Sequence, residues 1–84
     1  MDRLYNLRPV DSSTYGRIMR VDFDRLSFEE LKGLLKDIQF SVLSFGHSDD
    51  GKPAFLEFLV SSNDGAVERR LYEWFNGIGY MEKV

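Results

Sequence analysis

The chain of 84 residues has no cysteine, a single histidine and only two prolines. The absence of cysteine excludes disulfides, thiolate metal sites and a cysteine nucleophile. Because small secreted domains usually depend on disulfides, we expect a cytoplasmic protein. No long apolar run follows the first methionine, so we expect neither a signal peptide nor a membrane-spanning segment.

Clustered positive charge is also lacking. Eleven basic residues are scattered among fourteen acidic ones, which gives a net charge of −3 and a pI of about 5.0. Nucleic-acid binding depends on clustered Lys and Arg that neutralise phosphates, so the composition disfavours RNA as a partner. A mixed, mildly negative surface favours a protein partner instead. Seven Phe and four Tyr supply enough apolar side chain for one folded domain.

Alternation of apolar and polar residues predicts strands at residues 15–23, 40–45 and 53–61, with a short fourth strand at 80–84. The residues expected to face the core from the first and third strands are Tyr15, Met19, Val21, Phe23, Ala54, Leu56, Phe58 and Val60. The register of the second strand stays open, because apolar residues occupy both of its faces. Asp50-Gly51 before the third strand predicts a hairpin.

Two helices separate these strands. Ser27 and Glu30 form a capping box at the start of the first helix, in which each side chain accepts the other residue's backbone N–H. The apolar stripes of the two helices are Phe28, Leu31, Leu34, Leu35 and Ile38, and Val67, Leu71, Trp74, Phe75 and Ile78. Residues 61–64 offer N-caps for the second helix, and Asn76-Gly77 predicts its left-handed C-cap.

The order β-α-β-β-α-β predicts an α+β fold for a single domain over residues 15–84. Two helices with one apolar stripe each require one sheet face to cover. This favours a ferredoxin-like split β-α-β sandwich: a four-stranded antiparallel sheet, its first and third strands central, with both helices on one face. Residues 1–14 are expected to form an irregular N-terminal arm because Pro9 interrupts their apolar residues. The arm either packs on the domain or frays.

Residues 51–58, Gly-Lys-Pro-Ala-Phe-Leu-Glu-Phe, resemble the third-strand octapeptide of the RNA-recognition-motif family. The matching residues are Ala54, Phe55, Leu56 and Phe58, and the departing ones are Gly51, Lys52 and Pro53. The resemblance implies the βαββαβ fold and places Phe55 at a base-stacking position for single-stranded RNA. The first strand, however, presents no aromatic residue on its outward face.

The sheet face turned away from the helices is the predicted binding surface. Its members from the first and third strands are Ile18, Arg20, Phe55, Glu57 and Leu59. We expect Arg20 and Glu57 on neighbouring strands, close enough to pair. The apolar members need cover, which the N-terminal arm, a second copy of the chain or a partner could supply. The second candidate surface is the polar face of the second helix, with Arg69, Arg70, Tyr72 and Glu73.

No pattern of residues predicts catalysis. His47 precedes Ser-Asp-Asp at residues 48–50, but adjacent residues rarely point at one ion, so a solvated turn is the simpler interpretation. Asp22 and Asp24 resemble a carboxylate pair, yet they lie at a strand end where turn residues are common. An acylphosphatase-like anion loop is excluded because residues 22–26 contain no glycine. We therefore expect no enzyme, no metal and no cofactor.

Small acidic domains without cysteine or a catalytic motif are typical of adaptor proteins, including those of bacteriophages. We expect a non-catalytic protein-interaction module that regulates or inhibits a larger complex, as phage anti-host proteins do. The alternative is a single-stranded RNA-binding domain that uses the open sheet face. A homodimer through that face is a further candidate.

Overall fold

The computed structural model describes residues 3–61 and 65–83. In chain order they form β1 Arg3–Ser13, β2 Gly16–Phe23, α1 Phe28–Asp37, β3 Ser41–His47, β4 Pro53–Val60, α2 Ala66–Gly77 and β5 Tyr80–Glu82. One mixed sheet has the strand order β3-β4-β2-β1-β5. β1 and β5 are parallel, and the other neighbouring strands are antiparallel. The α+β class is therefore confirmed, and β2 and β4 are central neighbours as predicted.

The predicted four-stranded antiparallel sheet is wrong, because residues 3–13 form a fifth strand and not an irregular arm. β1 pairs with β2 and separates it from β5. Pro9 does not end this strand, since the β1–β2 register shifts between Pro9 and Asp11 and a bulge tolerates proline. Tyr5 on the core side alternates with Asn6 on the other side, so β1 follows the same period of two as its neighbours.

Both helices pack on the same face of the sheet and enclose one apolar core. Its buried members are Tyr5, Met19, Val21, Phe23, Leu26, Leu31, Leu34, Ile38, Leu56, Phe58, Val60, Leu71, Phe75 and Tyr80. The inward alternation predicted for β2 and β4 is confirmed by these residues. Tyr15 is exposed because it lies in the turn before β2, and Trp74 is only half-buried at the rim of the stripe of α2.

Arg3 joins the start of β1 to the start of α1 and to β5. Its Nη2 atom lies 2.6 Å from Glu30 Oε1 and donates to the Tyr80 hydroxyl at 2.8 Å. Glu30 also accepts the Ser27 backbone N–H at 3.0 Å, and Ser27 Oγ accepts the Glu30 N–H at 3.1 Å. The capping box is therefore confirmed. The hydrogen bond from Arg3 is the largest of the effects that lower the pKa of Glu30 below its usual value.

The hairpin between β3 and β4 is confirmed at Asp50-Gly51. Gly51 has a φ of 82°, in the left-handed region that favours glycine, and the Lys52 N–H donates to Asp50 Oδ1 at 3.0 Å. The Ser48 N–H closes the loop on the Lys52 carbonyl at 2.9 Å. This loop turns the chain so that β4 returns beside β3.

The ends of α2 differ from the prediction. Gly65 occupies the N-cap and makes no side-chain capping bond, and the predicted caps at 62–64 lie outside the described residues. After the helix the left-handed glycine is Gly79, with a φ of 93°, and not Gly77. Within the described ranges, neither helix is long and apolar enough to cross a membrane.

Candidate functional site

The face of the sheet that points away from α1 and α2, here called the outer face, brings the five predicted binding residues together. Its residues from β2 and β4 are Ile18, Arg20, Asp22, Phe55, Glu57 and Leu59, all half-buried. Arg20 directly opposes Glu57, while the next residues, Met19 and Phe58, oppose each other on the core side. Directly opposed residues emerge on the same face of a sheet, so strand pairing alone places the predicted residues side by side.

The Arg20 guanidinium stacks on the Phe55 ring at the centre of the outer face. Arg20 Cζ lies 3.9 Å from the ring centroid, which is the geometry of a cation–π contact. The same ring lies against Gly46 of the neighbouring strand β3, opposite Phe55 in the register. A Cβ atom at position 46 would lie only 2.6 Å from Phe55 Cζ, closer than side chains approach in proteins. Glycine at 46 is therefore what leaves room for the ring.

The ion pair of Arg20 differs from the prediction. Its Nη2 atom lies 3.1 Å from Asp22 Oδ1, and the structure places no ion pair between Arg20 and Glu57 within the described residues. Asp22 opposes Phe55 in the register, so a guanidinium that reaches across the ring ends beside Asp22. Arg8 of β1 approaches the same carboxylate at 3.6 Å, and Glu57 accepts the Ser44 hydroxyl at 3.1 Å. Around the stack the outer face thus carries two cations, Arg8 and Arg20, and two carboxylates, Asp22 and Glu57.

Residues 3–13 border the outer face and do not cover it. β1 lies in the sheet beside β2, and its residues Asn6 and Arg8 oppose Asp22 and Arg20. Sequence reasoning missed this contribution because Pro9 was interpreted as a strand breaker. The signal that could have found it is the alternation of Tyr5 and Leu7 with Asn6 and Arg8.

Three members of the second candidate surface, Arg69, Arg70 and Glu73, are exposed on α2. Arg70 also donates a hydrogen bond to the backbone carbonyl of Asp37 at the end of α1. Tyr72 is half-buried, with its ring centroid 5.9 Å from that of Tyr5. Burial is the main cause that raises the pKa of the Tyr72 hydroxyl. Tyr72 therefore belongs partly to the core, and only its neighbours are freely accessible.

His47 has aromatic neighbours. Its ring lies 5.5 Å from Phe45 and 6.5 Å from Phe28, centroid to centroid. In the part of the chain that the structure describes, no three His, Asp or Glu side chains come together as metal ligands. Of the two aspartates at the end of β2, Asp22 is engaged by Arg20, and the backbone carbonyl of Asp24 accepts the Tyr80 hydroxyl at 2.6 Å.

Comparisons with models of protein families, with curated proteins and with solved structures give no match. The geometry of the outer face is therefore the basis for inferring what the chain binds.

Proposed function

We propose that the chain is a non-catalytic protein-interaction module, a small regulator or inhibitor of a larger complex, and that the outer face binds its partner. The observation that carries this proposal is the stack of Arg20 on Phe55, fixed by the ion pair with Asp22. Arg and aromatic residues dominate the energetics of protein interfaces. Because the stack already holds Arg20 in place, docking a partner there freezes few additional rotamers.

The charges of the outer face favour a protein over single-stranded RNA. An RNA base that stacks on Phe55 competes with the guanidinium of Arg20 for the ring. Asp22 and Glu57 repel phosphate, and Asp22 offsets the charge of the arginine that phosphate would need. A protein surface that carries both signs of charge can complement both kinds of side chain. The same features that weaken an RNA site therefore support a protein site.

Charge reversal at Glu57 tests the proposal. Immobilised wild-type chain and its Glu57→Lys and Phe55→Ala variants are compared for the proteins they retain from a cell lysate, and the affinity of each retained protein is then measured. We expect Phe55→Ala to weaken binding about tenfold or more, as the loss of an interface anchor does. Glu57→Lys should weaken it as well, because a basic group of the partner then meets a like charge.

The matched control is Glu73→Lys, the same charge change on the exposed face of α2. Binding lost on Glu73→Lys but not on Glu57→Lys would move the interface to the second candidate surface. A labelled oligouridylate that binds wild type, binds Glu57→Lys more tightly and is released by salt would contradict the proposal in favour of RNA. Thermal melts of each variant separate lost binding from lost folding.

A further inference from the structure

A second exposed surface lies at the edge of the sheet, on the helix side and apart from the outer face. It consists of Phe28 and Leu35 of α1 with Val42 and Phe45 of β3, and is here called the edge surface. Their exposed fractions are 51%, 41%, 39% and 52%, which makes them four of the eight large apolar side chains exposed among the described residues. Exposed apolar side chains that gather in one place mark an interaction site.

The edge surface is open to solvent because α1 leaves the helix-side residues of β3 uncovered. Val42 and Phe45 oppose Phe58 and Leu56 in the register, so they emerge on the helix side of the sheet. Their partners on β4 are buried, whereas these two are open to solvent. Leu35, which the apolar stripe predicted as core, lies on the same open flank. It is two helical turns after Phe28.

His47 joins α1 to β3 on this surface. Its ring is near both aromatic residues of the edge surface, with its centroid 6.5 Å from that of Phe28 and 5.5 Å from that of Phe45. The edge surface therefore runs from the flank of α1 across β3. β3 is the last strand of the sheet, so within the described residues its outer backbone edge has no paired strand.

Positive charge borders the edge surface. Lys32 follows Phe28 by four residues and precedes Leu35 by three, so it lies beside both on α1, and Lys36 lies one turn after Lys32, further round toward solvent. Both lysines are exposed, and neither forms an ion pair within residues 3–61 and 65–83. β3 itself contains no Asp, Glu, Lys or Arg. The edge surface thus combines apolar side chains with a basic border on α1.

We propose that the edge surface binds a short extended segment of a protein partner in which apolar residues alternate with Asp or Glu. Alternate side chains of an extended segment point in opposite directions. The apolar ones fill the space between Phe28 and Phe45, and the segment's backbone pairs with the free edge of β3. The acidic residues lie beside Lys32 and Lys36, neither of which forms an ion pair with an acidic group of the described chain.

A second copy of the chain fits the edge surface less well. Antiparallel pairing of β3 with its own copy about a two-fold axis brings the two α1 helices side by side, with Lys32 and Lys36 near their symmetry mates. The β3–β4 register also shifts at Val42/Ser44 and at Gly46/His47. Such irregularities discourage pairing along a whole edge, although they leave a short stretch for a short segment. The charges therefore select an acidic partner over a second copy.

The probe for this site is a phage-displayed library of random twelve-residue peptides, selected on the immobilised full chain. We expect the enriched peptides to alternate apolar residues with acidic ones. One enriched peptide is then synthesised with a fluorophore, and its dissociation constant is measured by polarisation against wild type and variants. The double variant Lys32→Glu/Lys36→Glu should weaken binding by about tenfold or more, because two attractions become repulsions.

Two matched controls accompany the variants. Lys52→Glu repeats the charge reversal in the β3–β4 loop and should leave the dissociation constant within about twofold. Phe45→Ala should weaken binding as strongly as the lysine reversals, whereas Tyr15→Ala removes an exposed aromatic at the other hairpin and should not. Melting temperatures verify that each variant is folded, and the lysine variants carry only exposed changes.

Several results would overturn the inference. One such result is a selection that yields no peptide or only peptides without an excess of acidic residues. Another is a peptide whose dissociation constant is unchanged by both the lysine reversals and Phe45→Ala. Dimerisation that the same variants abolish would make a second copy the occupant, and a labelled oligouridylate that displaces the peptide would point to RNA. A peptide that is lost on Phe55→Ala and Glu57→Lys but not on the edge variants would refute this site and leave the proposed function intact.

Discussion

Substitution of Gly46 by alanine tests how tightly the outer face is built. The added Cβ would lie 2.6 Å from Phe55 Cζ and 3.0 Å from Cδ1, so the ring has to swing away. Its far end moves more easily than backbone does, yet any movement disturbs the stack of Arg20. Over-packing of this kind costs about 1–3 kcal/mol, and the mobile ring places Gly46→Ala in the lower half of that range.

The effect of Gly46→Ala on the free energy of unfolding should change sign once the Phe55 ring is removed. Gly46 does not have a positive φ, so alanine suits its backbone. Alanine in place of such a glycine stabilises a protein by about 0.4–1 kcal/mol, because it lowers the conformational entropy of the unfolded chain. In a Phe55→Ala background, Gly46→Ala should therefore be neutral or stabilising. The coupling energy between the two substitutions is then about 1.5–3 kcal/mol, as for residues in direct contact.

Urea unfolding of the four proteins in the cycle measures this coupling, with equal m-values verifying that the same two states are compared. Gly33→Ala is the matched control, because a Cβ at that position in α1 meets nothing within 4 Å. It should stabilise the protein by about 1 kcal/mol through helix propensity alone. A Gly46→Ala protein as stable as wild type, or a coupling energy below about 0.5 kcal/mol, would contradict the contact between Gly46 and Phe55.

Three further predictions concern the core, the first helix and the alkaline limit of stability. Phe58→Ala should cost about 3–5 kcal/mol, because Phe58 is fully buried, and an unchanged urea midpoint would contradict the β4 register. Ser27→Ala should lower the free energy of unfolding by about 1 kcal/mol without changing partner affinity, because it removes the helix cap and leaves the ion pair of Glu30 with Arg3. Equilibrium unfolding measures the stability, and a binding assay measures the affinity. Burial raises the pKa of Tyr5 to about 12, so stability should fall as the pH rises through 10, where the unfolded tyrosine ionises, and the loss should level off above 12. Tyr5→Phe should retain more of its stability than wild type in melts across that range.

Local patterns in the sequence predicted much of the structure. The capping box depends on residues three apart, and the hairpin at Asp50-Gly51 depends on a turn of a few residues. The alternation of β2 and β4 fixed which side chains share the outer face, because the period of a strand leaves only two faces to choose between. Residues such as Arg20 and Phe55 could therefore be placed together before any tertiary contact was known.

Other features were decided only by contacts between distant parts of the chain. β1 became a strand because its edges pair with β2 on one side and with β5 on the other, where Arg3 opposes Tyr80. Arg20 pairs with Asp22 and not with Glu57 because the ring of Phe55 guides the guanidinium across the sheet. Neither outcome can be predicted from the local periodicity of apolar and polar residues.

The sequence by itself determined which residues could be buried, and the tertiary structure determined which of them are. Phe45 of β3 has the same apolar character as the buried Phe58, yet about half of it is exposed because α1 does not cover the edge of the sheet. Burial depends on what lies above a side chain, and that is set by strand order and helix position, not by the residue itself. The edge surface exists for that reason.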